Sequence, residues 1–135
     1  MIVTTDIGDI LYKDCNSLKT TFGIANIYQD GNVPVGEVTA ERIVIVPPPN
    51  DTAETYWIKS FANVNLVVPD KNGKKDITRL QTLERLAKKN LDYRCGKFDG
   101  TTYTYEVSTG IENEPDLKCH FVNIKILFKI LNVKL

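Results

Sequence analysis

WIKSFANVNLVVPDKNGKKDITRLQTLERLAKKNL, residues 57–91, reads as a strand, a turn and a helix in succession. From Trp57 to Val68, Ile58, Ala62, Val64 and Leu66 fall on one side and Lys59, Asn63 and Asn65 on the other. That two-residue period belongs to a half-buried strand. Pro69 ends it, because proline has no amide to give a ladder, and Pro69 to Gly73 carries turn chemistry. Asp76 then stands where a cap for orphan amides belongs. Ile77, Leu80, Leu83, Ala87 and Leu91 recur at helical spacing, so a helix starts near Asp76. The unit is expected to fold back on itself, helix against strand.

Working outward toward the N-terminus, Asp6 is placed to cap a helix with Ile7, Ile10 and Leu11 on its apolar face, extended by Leu18 and ending before Gly23. Ile24–Tyr28 is apolar and β-prone, and Asp30-Gly31-Asn32 is a turn. Arg42–Val46 is a second strand, followed by a stiff, extended exit through Pro47, Pro48, Pro49, Asn50 and Asp51. Toward the C-terminus, Cys95–Gly100 reads as a break. Thr102–Ser108 is a strand with Tyr103, Tyr105 and Val107 on one side, and Gly110–Asp116 a polar loop. Cys119–Leu131 is the clearest strand: Val122, Ile124, Ile126, Phe128 and Ile130 share a face opposed by Asn123, Lys125 and Lys129. Strands and helices do not alternate regularly, which predicts the α+β class: one mostly antiparallel sheet with about two helices packed on one face. The 135 residues fit a single domain spanning 1–135.

Seventeen basic and 17 acidic side chains balance, so no global field draws the chain to nucleic acid or anionic lipid. No apolar run approaches the roughly 20 residues of a membrane span, and Met1–Ile10 has no basic leader, so a soluble, unexported chain is expected. Cys15, Cys95 and Cys119 are odd in number and widely spaced, which suits a reducing compartment. The sequon Asn50-Asp51-Thr52 reads as chance in that setting.

Catalytic chemistry is hard to assemble from these residues. His120 is the lone histidine, and its neighbour Cys119 projects to the opposite face of a strand, so the two form neither a dyad nor a ligand pair. Pro69-Asp70 with Asp116-Leu117-Lys118 loosely matches the carboxylate-and-lysine pattern of metal-dependent nucleases, but a helix and a strand intervene. No glycine-rich phosphate loop is present. Lys71, Lys74 and Lys75 read as a solvated loop, and Tyr103 with Tyr105 as core or interface packing rather than a base-stacking platform. No catalytic, cofactor-binding or metal-binding residue is assigned.

The order of elements resembles the tail terminator, or tail completion, proteins of long-tailed bacteriophages and prophages. The likeness runs in sequence order through the helix ending at Gly23, Ile27-Tyr28 before a turn with Pro34, and Arg42-Ile43-Val44-Ile45. It continues through Asn63–Asp70 with its Gly73 turn, Asp76-x-x-Arg79-Leu80 opening a helix, and the closing strand from Cys119. The resemblance implies a non-enzymatic structural protein, made in the bacterial host cytoplasm and carried in the virion tail. Its subunits close into a ring, usually a hexamer, that caps the tail tube and docks the neck or connector protein. It implies no cofactor, no membrane and no specific nucleic-acid binding. A metal-dependent nuclease and another head-tail connector or neck component are the alternatives.

A sheet covered on one face leaves the other less protected. Phe61, Val67, Phe121, Leu127 and Leu131 are expected on that second face, where apolar side chains suit burial against another copy of the chain.

Overall fold

The computed structural model describes residues 1–49, 52–53 and 57–131, and, of Thr52, Ala53, Trp57 and Ile58, the backbone alone. Two helical segments open the chain, α1 (Thr4–Ser17) and α2 (Lys19–Phe22), followed by strands β1 (Asn26–Gln29), β2 (Arg42–Val46), β3 (Thr52–Ala53) and β4 (Trp57–Pro69). Helix α3 (Ile77–Leu91) precedes β5 (Tyr93–Phe98), β6 (Thr101–Glu114), a 3-10 turn at Pro115–Leu117 and β7 (Cys119–Leu131). The sheet runs β1-β2-β4-β7-β6-β5, with β3 paired to β4.

This is an α+β fold with helices over one sheet face, as the pattern predicts. The sheet, however, is mixed: β1 joins β2 in parallel, while the other pairings are antiparallel. Parallel pairing needs a crossover, and the segment between Gln29 and Arg42 supplies it without a helix. At the centre, β4 and β7 pair along their whole length, from Trp57 opposite Leu131 to Pro69 opposite Cys119. That register puts Ala62, Val64, Leu66 and Val68 on the inner face beside Val122, Ile124, Ile126 and Phe128, all buried. The strand runs through Pro69, one residue past the expected stop.

Helix α1 seats Ile7, Ile10, Leu11 and Cys15 on that inner face, and Leu18 and Phe22 continue the contact. Asp6 lies inside the first turn rather than ahead of it, where its Oδ2 accepts from the Val3 amide at 2.9 Å. Gly23, at φ 70°, takes the left-handed conformation that closes α2, and its amide donates to the Lys19 carbonyl at 2.8 Å. Asp76 caps α3 as expected, accepting from the Arg79 amide at 3.3 Å. Such a cap contributes about 1 kcal/mol. Leu80, Leu83, Ala87 and Leu91 are buried, but Ile77, in the first turn, points to solvent and is 47% exposed. The helix lies chiefly over β6 and β7 rather than back on β4.

Two polar networks fasten the helices to the sheet side. The Arg79 guanidinium grips Glu41 through Nε–Oε2 at 2.7 Å and Nη2–Oε1 at 2.9 Å and also donates to the Phe22 carbonyl, tying α3 to the β2 approach and to α2. Tyr105 donates its hydroxyl to Asp14 Oδ2 at 2.6 Å, and Arg94 stands 3.7 Å from the same carboxylate, so α1 is linked to β6 and β5. Burial, with the Asp14 bond, pushes the Tyr105 hydroxyl pKa upward. Burial raises the Cys15 thiol to about 12.

The expected break at Cys95–Gly100 is strand β5 and a tight turn at Asp99-Gly100. Gly96 is a packing device here: a Cβ on it would lie 2.6 Å from Tyr103 Oη on the paired strand. The expected loop Gly110–Asp116 is strand as far as Glu114. Among the described residues no helix is long and apolar enough to cross a membrane, and all three cysteines are free. Of the sequon, Asn50 and Asp51 lie outside the described residues.

Candidate assembly face

The outer sheet face, away from the helices, is assembled by alternation. Because Leu66 and Val122 point inward, their neighbours Asn65, Val67, Phe121 and Asn123 point outward, and the β4–β7 register sets Val67 opposite Phe121 and Phe61 opposite Leu127. Leu131 stands opposite Trp57 at the far end. All five residues expected on this face are on it, but they meet different fates.

At one end the chain covers itself. The crossover segment folds back so that Val33 and Val38 lie on Val44, Val67, Cys119 and Phe121, with Leu117 of the 3-10 turn beside them. The Val38 amide donates to the Leu117 carbonyl at 3.0 Å, closing the flap. Val67 is only 7% exposed and is out of water without a second copy, while Phe121 beside it is half-buried against the same cluster. Val67 is a correction to the expected interface: a residue of the right face, already covered by a loop whose path strand periodicity does not reveal.

A ladder of amides crosses the middle. Asn123 Nδ2 donates to Asn65 Oδ1 at 2.8 Å and to Asn63 Oδ1 at 3.2 Å. These bonds satisfy polar groups that half-burial would otherwise leave costly.

Beyond the ladder the face is open. Phe61 is 51% exposed and Leu127 and Leu131 are half-buried. Phe61, Leu127, Lys125 and the β6 residues Glu106 and Ser108 line a shallow groove of about 270 Å³. Lys125 Nζ sits 5.3 Å from the Phe61 ring centre, which offsets part of the ring's exposure by a cation–π contact. Its lining is mixed, apolar at Phe61, Val107 and Leu127 and charged at Glu106 and Lys125.

The chemistry-bearing residues are distributed elsewhere. His120 Nδ1 lies 2.7 Å from Asp70 Oδ1, both side chains mostly buried, where the ends of β4 and β7 meet. They border a cleft of about 550 Å³ with Glu37, Asn113 and Lys118. His120 and Asp70 lie 50 residues apart in sequence, and equal strands ending at Pro69 and starting at Cys119 bring them together. Asp116 is exposed on the 3-10 turn and Lys118 pairs with Glu37 at 3.5 Å, so the nuclease-like pattern is spread over separate partners. Among the described residues, no group of three or more His, Cys, Asp or Glu is placed to hold a metal ion. Lys71, Lys74 and Lys75 are exposed on the loop. Tyr103 and Tyr105 face inward and pack on Phe128, with ring centres 5.7 and 4.9 Å away.

No protein-family model and no curated protein matches the chain. Its fold is similar to that of a solved protein structure at a TM-score of 0.55 and 12% identity, over 94% of this chain and 97% of that one. A likeness at that identity extends to the fold alone.

Proposed function

We propose that this chain is a non-enzymatic structural subunit of a bacteriophage or prophage tail, of the tail terminator type. Copies close into a ring, a hexamer by resemblance, that stops the tail tube and receives the neck. The observation that carries the reading is the open end of the outer face, where Phe61, 51% exposed, and half-buried Leu127 sit side by side on rigid central strands, with Lys125 over the Phe61 ring. Each Å² of such apolar surface withdrawn from water contributes about 25 cal/mol. A contact that covers both side chains on both copies therefore favours association. Placement on β4 and β7, the most thoroughly paired strands, means that little ordering is lost on docking.

The test is electron microscopy of purified tail tubes incubated with the protein. Rings seated at tube ends, and tubes that no longer elongate, are the expected result. Solitary particles and uncapped tubes overturn the reading.

A further inference from the structure

Strand β6 outlasts its neighbour. The last β5–β6 pair is Tyr93 opposite Glu106, and the Val107 amide still reaches the Asp92 carbonyl. From Ser108 to Glu114, β6 is paired to β7 on one side, and no described strand lies on the other. In an antiparallel ladder the backbone groups of alternate residues point to each side, so this run presents a row of amides and carbonyls outward. The residues are exposed except Thr109 and Glu114, which are half-buried.

Natural sheets blunt such edges with shortness, proline or charged side chains, lysine above all. The edge strand β1 is four residues long, and β5 is short and carries Lys97. Ser108-Thr109-Gly110-Ile111-Glu112-Asn113-Glu114 has neither proline nor lysine before Pro115, and its charges are the carboxylates of Glu112 and Glu114.

Its charge says what it accepts. Glu112 and Glu114 share the outer side, opposite Phe121 and Cys119, and Asp116 follows just beyond. The run contains no cation. Lys118 is engaged by Glu37, and Lys125 lies over Phe61. Two copies of this edge laid antiparallel would bring two sets of these carboxylates along one seam, which like-charge repulsion opposes. A strand with lysine or arginine at alternate positions would instead set a cation opposite each glutamate, and its intervening apolar residues would lie beside Ile111, 36% exposed.

We propose that the free edge of β6, Ser108–Glu114, is a strand-addition site for an extended basic segment of a partner protein. Main-chain bonds supply the affinity and the glutamates select the sequence. The site does not depend on ring formation through Phe61 and Leu127.

The experiment titrates ¹⁵N-labelled protein with a short blocked peptide alternating lysine with valine and threonine, and with the same peptide carrying glutamate for lysine. The lysine peptide is expected to shift resonances of residues 108–114, to slow hydrogen exchange at alternate amides there, and to bind about tenfold or more tightly than the glutamate peptide. In the double variant Glu112→Lys, Glu114→Lys the preference should reverse, a result that also confirms a folded edge. Equal binding of the two peptides, binding of neither, or shifts confined to other residues overturns the proposal. Concentration-dependent protection of the edge without peptide overturns it too, because the occupant is then a second copy.

Discussion

The two ends of the outer sheet face share strands β4 and β7 and the same alternation, yet one is finished within the chain and the other is not. Val67 and Phe121 lie beneath Val33, Val38 and Leu117. Phe61 is 51% exposed with Lys125 over its ring, and Leu127 beside it is half-buried. Apolar residues on the second face of a sheet are therefore either covered by the chain or left partly exposed, and what separates the two is the course of a crossover segment far away in sequence. The amide ladder of Asn63, Asn65 and Asn123 marks the border between the two zones.

Charge placed at the sealed end should have the largest effect. Val67→Asp buries a carboxylate against Val38, Val44 and Cys119, and is expected to lower folding stability by about 3 kcal/mol or more, read as a drop in the urea midpoint. A change under about 1 kcal/mol would mean that the flap is not closed in solution. Thiol labelling sharpens the same contrast. Cys95 is exposed, whereas Cys119 is under the flap and Cys15 is in the main core, where burial raises the pKa of both buried thiols. Cys95 should react with a disulfide reagent on the order of a hundredfold faster than the other two, which wait for local opening. Comparable rates for Cys95 and Cys119 would break the distinction between the zones. Smallest in its effect on folding is Leu127→Asp at the open end. Stability should change by about 1 kcal/mol or less, while self-association weakens about tenfold or more. A large loss of folding stability would place Leu127 in the protomer's own core instead.

Much of the architecture is legible because buried positions are periodic. Strand β7 reads at its true limits, β2 likewise, and α3 begins after its aspartate cap. What escapes notice lies where periodicity and burial part company. Strand β5 hides behind Gly96, which looks like a breaker but makes room for Tyr103. The second half of β6 is polar because it is an open edge, so nothing in its composition separates it from a loop. Parallel pairing of β1 with β2 depends on the direction of a crossover, which alternation does not encode. The outer face itself was recoverable, with all five expected residues upon it. The flap over Val67 and Phe121 was not, since Val33 and Val38 sit among turn residues with no strand or helix period. The meeting of Asp70 and His120 was within reach: aligning the ends of two equal antiparallel strands brings them to one corner.

Sedimentation velocity over a range of concentrations bears most directly on the claim that Phe61 and Leu127 are left for another copy to cover. Wild-type protein should sediment as a species several times the 15.2 kDa of one chain, with Leu127→Asp returning it to that mass while the fold persists. A wild type that remains at the mass of one chain throughout, and on addition of tail tubes, would contradict it.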